Sequence, residues 1–488
     1  MITPFKYSLY SKSLSQLADY LFPLKIYDST AGGGGERVLW TAIKALQESN
    51  PSIISVLYTD YKDNESKELI LSEKKFSIEI DPNLLLIIRV KNVSYIDKRY
   101  SYLRLLLQSL ASMLVCYQTL NLFIPDIYID TVGFSFTYPL VKILYRINVV
   151  SYTHYPTISS DMYQVVASRE SGINNGETIQ KSFLLSILKK LYYRMFFVIY
   201  GFSGSYCDSV MANSTWTLNH IKATFKKSKN INLVYPPCDS KNLSAFSFED
   251  RALKIVSLAQ FRPEKHHSLQ IVAFAKLLNK YPQWQKRNSR SETGFLELVM
   301  IGGARNKEDE ERANELRELS KMLNIGDQVS VVTNASFEFI CEQLSTASIG
   351  LHSMKDEHFG INVVEFMAAG LLPISHNSGG PKMDIIVPAV LPEEYSTINS
   401  KILMMLLEDA RKEVDFENSP DFRAEDFAVG FLASNSDQFA DAIQYSLTLD
   451  KHVFRTFQRL ARSRATTLFS DQAFKSRFLE CLNLAIDN

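Results

Sequence analysis

Residues 347–381 constrain this chain more than any other stretch. Residues 347–354 are mostly apolar and short, which reads as a buried strand. Residues 360–369 read as a short helix stopped by Gly370, and residues 371–375 as a second buried strand. Ser378-Gly379-Gly380-Pro381 then reads as a turn. A strand, a helix and a strand in this order belong to an α/β sheet, and such sheets bind ligands at the carboxyl ends of their strands.

Two carboxylates flank the start of that helix, Glu357 in the loop and Glu365 inside the helix. A carboxylate accepts several hydroxyl hydrogen bonds and so suits sugar and ribose. The backbone N–H groups of Gly360, Ile361 and Asn362 suit a diphosphate, because a helix start carries partial positive charge. One short segment thus has the chemistry for both ends of a nucleotide sugar. A lone glutamate in a loop is usually just solvated. Glu365 differs, because it interrupts the apolar run Val363-Val364-Glu365-Phe366-Met367, where a carboxylate needs a partner.

A chain of 488 residues exceeds what one core usually holds, so two domains are expected. Its 53 basic and 53 acidic residues cancel, so no overall field steers it to nucleic acid. Five scattered cysteines show no metal-ligand spacing, and their odd number argues against a disulfide framework. The first twenty residues lack a long apolar core, so no signal peptide is expected. Residues 105–125 carry no charge but hold Gln108, Ser109, Ser112 and Asn121, which reads as a packed helix rather than a membrane span.

Glycine is scarce, which makes the cluster Gly32-Gly33-Gly34-Gly35 informative. With a strand expected at 24–27 and a helix at 36–48, it is a turn that lets backbone approach a phosphate or sugar closely. A dinucleotide site is the rival, but it wants Gly or Ala at position 37, and Arg37 stands there. A strand over 147–153 ends on His154, which places that ring at the carboxyl end of a strand. Residues 183–202 mix Leu, Ile, Tyr and Phe with Lys189, Lys190 and Arg194, which suits either a core helix or a helix lying on an anionic membrane surface. Polar residues 240–251 mark the domain boundary. The second domain opens with a strand over 254–259, followed by Arg262 and Lys265, two cations able to neutralise a diphosphate leaving group. Residues 388–427 read as a polar, acidic insertion.

The spacing of Glu357 and Glu365 ahead of Ala368-Ala369-Gly370 and the Ser-Gly-Gly-Pro turn resembles the donor site of retaining GT-B glycosyltransferases. His154-Tyr155-Pro156-Thr157-Ile158-Ser159, Val234-Tyr235-Pro236-Pro237-Cys238-Asp239, Gln260-Phe261-Arg262-Pro263-Glu264-Lys265 and Glu357-His358-Phe359-Gly360 narrow the likeness. They are similar to the dolichol-pathway α-1,2-mannosyltransferases that add the fourth and fifth mannose. The likeness runs from about residue 24 through nearly the whole chain.

The resemblance implies an α/β, GT-B fold of two Rossmann-like domains facing each other across a cleft. Residues 1–245 would be the acceptor side, 246–450 the nucleotide-sugar side, and 451–488 closing helices. It implies retaining α-1,2 transfer from GDP-mannose to Man3GlcNAc2 on dolichol diphosphate, without metal or other cofactor. Glu357 would contact the mannose, Glu365 the ribose, and Arg262 and Lys265 the diphosphate, with Gly34 and Gly35 near the donor and His154 beside the mannose. The implied partners are GDP-mannose, the lipid-linked oligosaccharide, a membrane surface and other mannosyltransferases of the pathway, on the cytosolic face of the endoplasmic reticulum. Ala259 and Gln260 stand where the superfamily usually has Gly-Arg, which favours Lys265 over Arg262 as the phosphate cation. The N-terminal membrane helix usual in these enzymes is not evident, which shifts the expected anchoring to 183–202. A soluble GT-B enzyme with another donor or acceptor and an inactive membrane scaffold are the alternatives.

Overall fold

The computed structural model describes residues 19–22, 34–59, 76–90, 92–97, 100, 103–158, 183–228, 230–286, 294–389 and 428–486. The chain divides into two compact units, Met1–Pro237 with Gln472–Asn488, and Cys238–Asp471. The strand expected at 24–27, Gly32, Gly33 and nearly all of the 388–427 insertion lie outside the described residues.

The first unit runs β1 (Asp19–Phe22), α1 (Gly34–Ser49), β2 (Ile54–Thr59), β3 (Leu85–Arg89), α2 (Arg104–Leu122), β4 (Ile127–Asp130) and β5 (Asn148–Thr153), then α3 (Phe183–Gly204), β6 (Ser209–Ala212), α4 (Thr215–Thr224) and β7 (Ile231–Leu233). Its strands form one parallel sheet in the order β3-β2-β1-β4-β5-β6-β7. The second unit runs β8 (Ala252–Leu258), α5 (His267–Lys280), β9 (Glu297–Gly302), α6 (Lys307–Met322), β10 (Val329–Thr333) and α7 (Phe337–Thr346). It continues with β11 (Ala347–His352), α8 (Ile361–Ala369), β12 (Leu372–His376), β13 (Phe431–Ala433), α9 (Ser436–Thr448) and α10 (Lys451–Leu468). Its sheet, also parallel, has the order β10-β9-β8-β11-β12-β13.

The helices start where short polar side chains cap them. Ser214 Oγ accepts from Thr217 N at 3.0 Å, Asn306 Oδ1 from Asp309 N at 2.9 Å, and Ser336 Oγ from Phe339 N at 3.2 Å. The central strands are buried on both faces, as parallel strands between helices must be: all six residues of β11 and all five of β12 are buried. Gly350 in β11 lets α8 lie close, since a Cβ there would stand 2.3 Å from Phe366 Cγ.

In each sheet the strand order reverses beside the first strand. The chain leaves β8 toward β9 on one side, while β11 leads to β12 on the other. The loops after β8 and β11 therefore part and leave a crevice, the usual ligand position in doubly wound sheets.

Three expectations change. The division falls at Pro237, ahead of the polar stretch, and the chain end returns to the first unit. That final helix, α11 (Asp471–Ile486), buries Phe474, Phe478, Cys481 and Leu482 in the core beneath α1, each aromatic stabilising by roughly 1.5–3 kcal/mol. The 105–125 helix is not packed all round. α2 buries Ser112, Cys116, Thr119 and Leu120 and exposes Leu107, Leu110 and Leu114, because apolar residues occupy both of its faces. The Ser-Gly-Gly-Pro turn passes straight into a helical turn, with Gly380 already at φ −60° and Pro381–Ile385 continuing it.

Candidate active site

Lys265 comes from the loop after β8. Arg262 is extended, Pro263–Lys265 make one 3-10 turn, and His266 takes a left-handed conformation (φ 50°) that redirects the chain into α5. Two side chains clamp this turn from below. Ser353 Oγ donates to Lys265 O at 2.8 Å, and Gln270 Nε2 donates to Ser353 Oγ at 2.8 Å. The ammonium is thus held on a backbone tied both to α5 and to the end of β11.

Glu357 comes from the loop after β11, on the other side of the reversal. Its Oε2 lies 2.5 Å from Lys265 Nζ and 3.2 Å from His352 Nε2. Burial alone would push this carboxyl up, but His352 and Lys265 outweigh it and hold Glu357 well below the ordinary carboxylate range. Glu357 is therefore an ionised acceptor in a mostly dry place.

The Ser-Gly-Gly segment sets the backbone under Glu357. Asp356 N donates to Ser378 Oγ at 2.7 Å, and Gly380 N donates to Glu357 O at 2.8 Å. Gly379 has φ 62°, and a Cβ there would stand 2.3 Å from Glu357 O; at Gly380 it would stand 2.4 Å from Phe359 O. Only residues without a side chain let the two loops lie this close.

Helix α8 begins at the same place. Gly360 caps it at φ 104°, a conformation glycine tolerates, and Val363 N is the first to bond back, to Gly360 O at 2.9 Å. The N–H groups of Ile361 and Asn362 precede any intrahelical acceptor and point out of the helix start. Asn362 Nδ2 reaches Leu258 O at 2.9 Å and His352 Nδ1 at 2.8 Å. Glu365 is half-buried one turn further on.

In the first unit, α1 starts at Gly34. A Cβ on Gly35 would stand 3.4 Å from His154 Nε2, so this helix start and the ring after β5 are neighbours. His154 lies edge-on to Tyr152 at 5.2 Å, and Thr217 Oγ1 donates to its carbonyl at 3.2 Å.

Comparison with known proteins supplies the family. Residues 26–225 match the model of the ALG11 mannosyltransferase N-terminus, and residues 240–402 match glycosyl transferases group 1. The chain is 41% identical over 92% of its length to the GDP-Man:Man(3)GlcNAc(2)-PP-Dol alpha-1,2-mannosyltransferase of Mus musculus, covering 84% of that protein. The chain belongs to this mannosyltransferase family. The Dictyostelium discoideum member is 38% identical over 94% of the chain and 83% of its own length. Among solved structures, Anabaena HepE in complex with UDP and glucose superposes with a TM-score of 0.57 at 14% identity, covering 96% of this chain and 99% of that one. Sucrose-phosphate synthase from Thermosynechococcus elongatus gives 0.57 at 15%, covering 94% and 96%. These likenesses establish the GT-B fold, with two doubly wound units, for this mannosyltransferase.

Within the mannosyltransferase the expected residues fall into two groups. Lys265, Glu357, Gly360, Ile361 and Asn362 meet at the reversal point of the second sheet, with Glu365 on the same helix. Gly34, Gly35 and His154 are neighbours in the first unit. Arg262 stands just ahead of the Lys265 turn, where it is two-fifths exposed and lies 3.8 Å from Glu264. The sequence reading missed His352, Ser353, Gln270 and the support given by Ser378. His352 had a signal, being a polar ring at the end of a mostly apolar strand.

Proposed function

We propose that this mannosyltransferase transfers mannose from GDP-mannose in α-1,2 linkage, with retention, to Man3GlcNAc2 on dolichol diphosphate, adding the fourth and fifth mannose. We place this reaction on the cytosolic face of the endoplasmic reticulum membrane. Family membership supports the substrates. The observation that carries the mechanism is the Lys265–Glu357 contact beside the start of α8 at the sheet's reversal point.

In this reading the diphosphate sits against Lys265, Arg262 and the backbone N–H groups of Gly360, Ile361 and Asn362. An ammonium has three donors, so Lys265 can hold Glu357 and a phosphate oxygen together. Glu357 accepts from the mannose hydroxyls, and Glu365 takes the ribose. The acceptor hydroxyl attacks the anomeric carbon from the face that the diphosphate leaves. The C–O bond to phosphate breaks, GDP departs, and the hydroxyl proton passes to a phosphate oxygen. Catalysis comes from charge placed in advance against the leaving group, which requires no metal ion.

The test is transfer from GDP-mannose to a trimannosyl lipid-linked acceptor. Lys265→Ala and Glu357→Ala are each expected to lose about a hundredfold or more in turnover. Near-normal activity in either variant refutes the assignment. Full activity in EDTA is expected, and a strict Mg²⁺ requirement contradicts it.

A further inference from the structure

Exposed apolar side chains in the first unit gather on three connected stretches. On α2, Leu107, Leu110 and Leu114 follow one another on a single outward face. Ile143 and Leu144, at the end of the helical segment 137–145, are 62% and 60% exposed. On α3, Leu191 and Val198 are 62% and 63% exposed, with Phe202 beyond them. The stretches are tied together: Leu106 N on α2 donates to Tyr192 Oη on α3 at 3.1 Å, and Tyr145 Oη donates to Asn121 Oδ1 at 3.1 Å. An apolar face of this breadth marks a contact surface.

The inner faces show how the helices must lie. α2 is long and apolar enough to cross a bilayer. Yet Gln108 Nε2 donates to Ile96 O at 2.9 Å, and Cys116, Thr119 and Leu120 are buried against the sheet. α3 likewise buries Tyr193, Phe196 and Tyr200. Spanning a membrane would strip both helices from this core, so they lie flat.

Charge selects the occupant. Residues 103–124, 137–146 and 183–204 contain no Asp or Glu, although the chain has 53 acidic residues. They contain Arg104, Lys142, Arg146, Lys189, Lys190 and Arg194. Lys142 is paired with Asp208 at 2.8 Å, while Arg104, Arg146 and Arg194 are exposed. A second copy docking by twofold symmetry would set these cations against themselves. Anionic headgroups over acyl chains match both the cations and the apolar stripe.

We propose that α2, residues 137–145 and α3 form one monotopic face that lies on a bilayer carrying anionic phospholipid. The proposal deepens the reading of a lipid-linked acceptor, on which it rests, by naming the surface that meets the acceptor's membrane.

Flotation of the full chain with phosphatidylcholine vesicles, with and without phosphatidylserine, tests it without any turnover. The parent is expected to float with the anionic vesicles and to be released by salt. Leu110→Glu with Leu114→Glu, and separately Leu191→Glu with Val198→Glu, are each expected to lower partitioning about tenfold or more. Transfer to a water-soluble, short-chain trimannosyl acceptor is expected to be unchanged in both pairs, which also reports on folding. Serine at the same four positions gives a milder series with the same ordering. Parent-like flotation of either glutamate pair overturns the proposal, as does a parent dimer that both pairs dissolve while vesicle binding persists. Failure of the functional reading would appear differently, as absent mannosyl transfer with vesicle binding intact.

Discussion

Asn362 donates its side-chain amide to Nδ1 of His352 at 2.8 Å. An amide nitrogen offers only protons, so Nδ1 accepts and a ring proton sits on Nε2, which lies 3.2 Å from Glu357 Oε2. The first turn of α8 therefore sets the tautomer of a buried histidine and, through it, the surroundings of the carboxylate.

His352→Ala is expected to cost up to about a hundredfold in turnover, as loss of precise orientation does. It is also expected to move the acid limb of the kcat/KM profile to higher pH, because one group that favours ionised Glu357 is gone. Measuring that profile from pH 4 to 8 checks both. An unmoved acid limb would show that His352 serves only the core.

Lys265 and Glu357 share one contact, so their variants are expected not to add. The Lys265→Ala, Glu357→Ala double variant is expected to fall no more than about tenfold below the worse single variant. Single-turnover rates for the three proteins decide it, and multiplicative losses would mean that the two residues act separately.

Stability is expected to fall in mild acid through His267. Burial, with His352 and Lys265 nearby, pushes this ring down to about 4. A folded-state pKa below the unfolded value of about 6.5 means that the unfolded chain binds the proton first as pH drops. Stability is therefore lost as pH falls from about 6.5 toward 4, by about 2 kcal/mol at pH 5. Urea midpoints at pH 7.5 and pH 5 should show a smaller acid loss in His267→Gln than in the parent.

Glycine substitutions should separate packing from support of the site. Gly350→Ala, whose Cβ would meet Phe366, is expected to cost about 1–3 kcal/mol or more in stability. Gly303→Ala has nothing nearer than 3.9 Å and serves as the neutral control. Gly379→Ala and Gly380→Ala press on the backbone of Glu357 and Phe359, and are expected to lower turnover by about a hundredfold. Thermal melts and initial rates on the four proteins check the order.

Much of the architecture was legible because it is written locally. Short apolar runs beside helical patterns marked strands β8, β11 and β12, and Gly370 closed α8 as expected, at φ 86°. The Glu357 and Glu365 spacing likewise lies within one unit of chain. The path of α11 was not legible, since its apolar face says that it must be buried but not in which core. The outward face of α2 was hidden for the opposite reason: a helix with apolar residues on both faces gives no sign of which side the sheet will cover.

By itself, then, the sequence determined that this is a doubly wound protein with two carboxylates near a helix start and a lysine in an earlier loop. Tertiary structure alone decided that Lys265 and Glu357, 92 residues apart, touch, and that His352, Asn362 and Ser353 hold the loops that carry them. The physical reason is that periodicity and turn chemistry act over a few residues. Which loops become neighbours depends on the order in which parallel strands pair, and that is settled only when both sheets close around their cores.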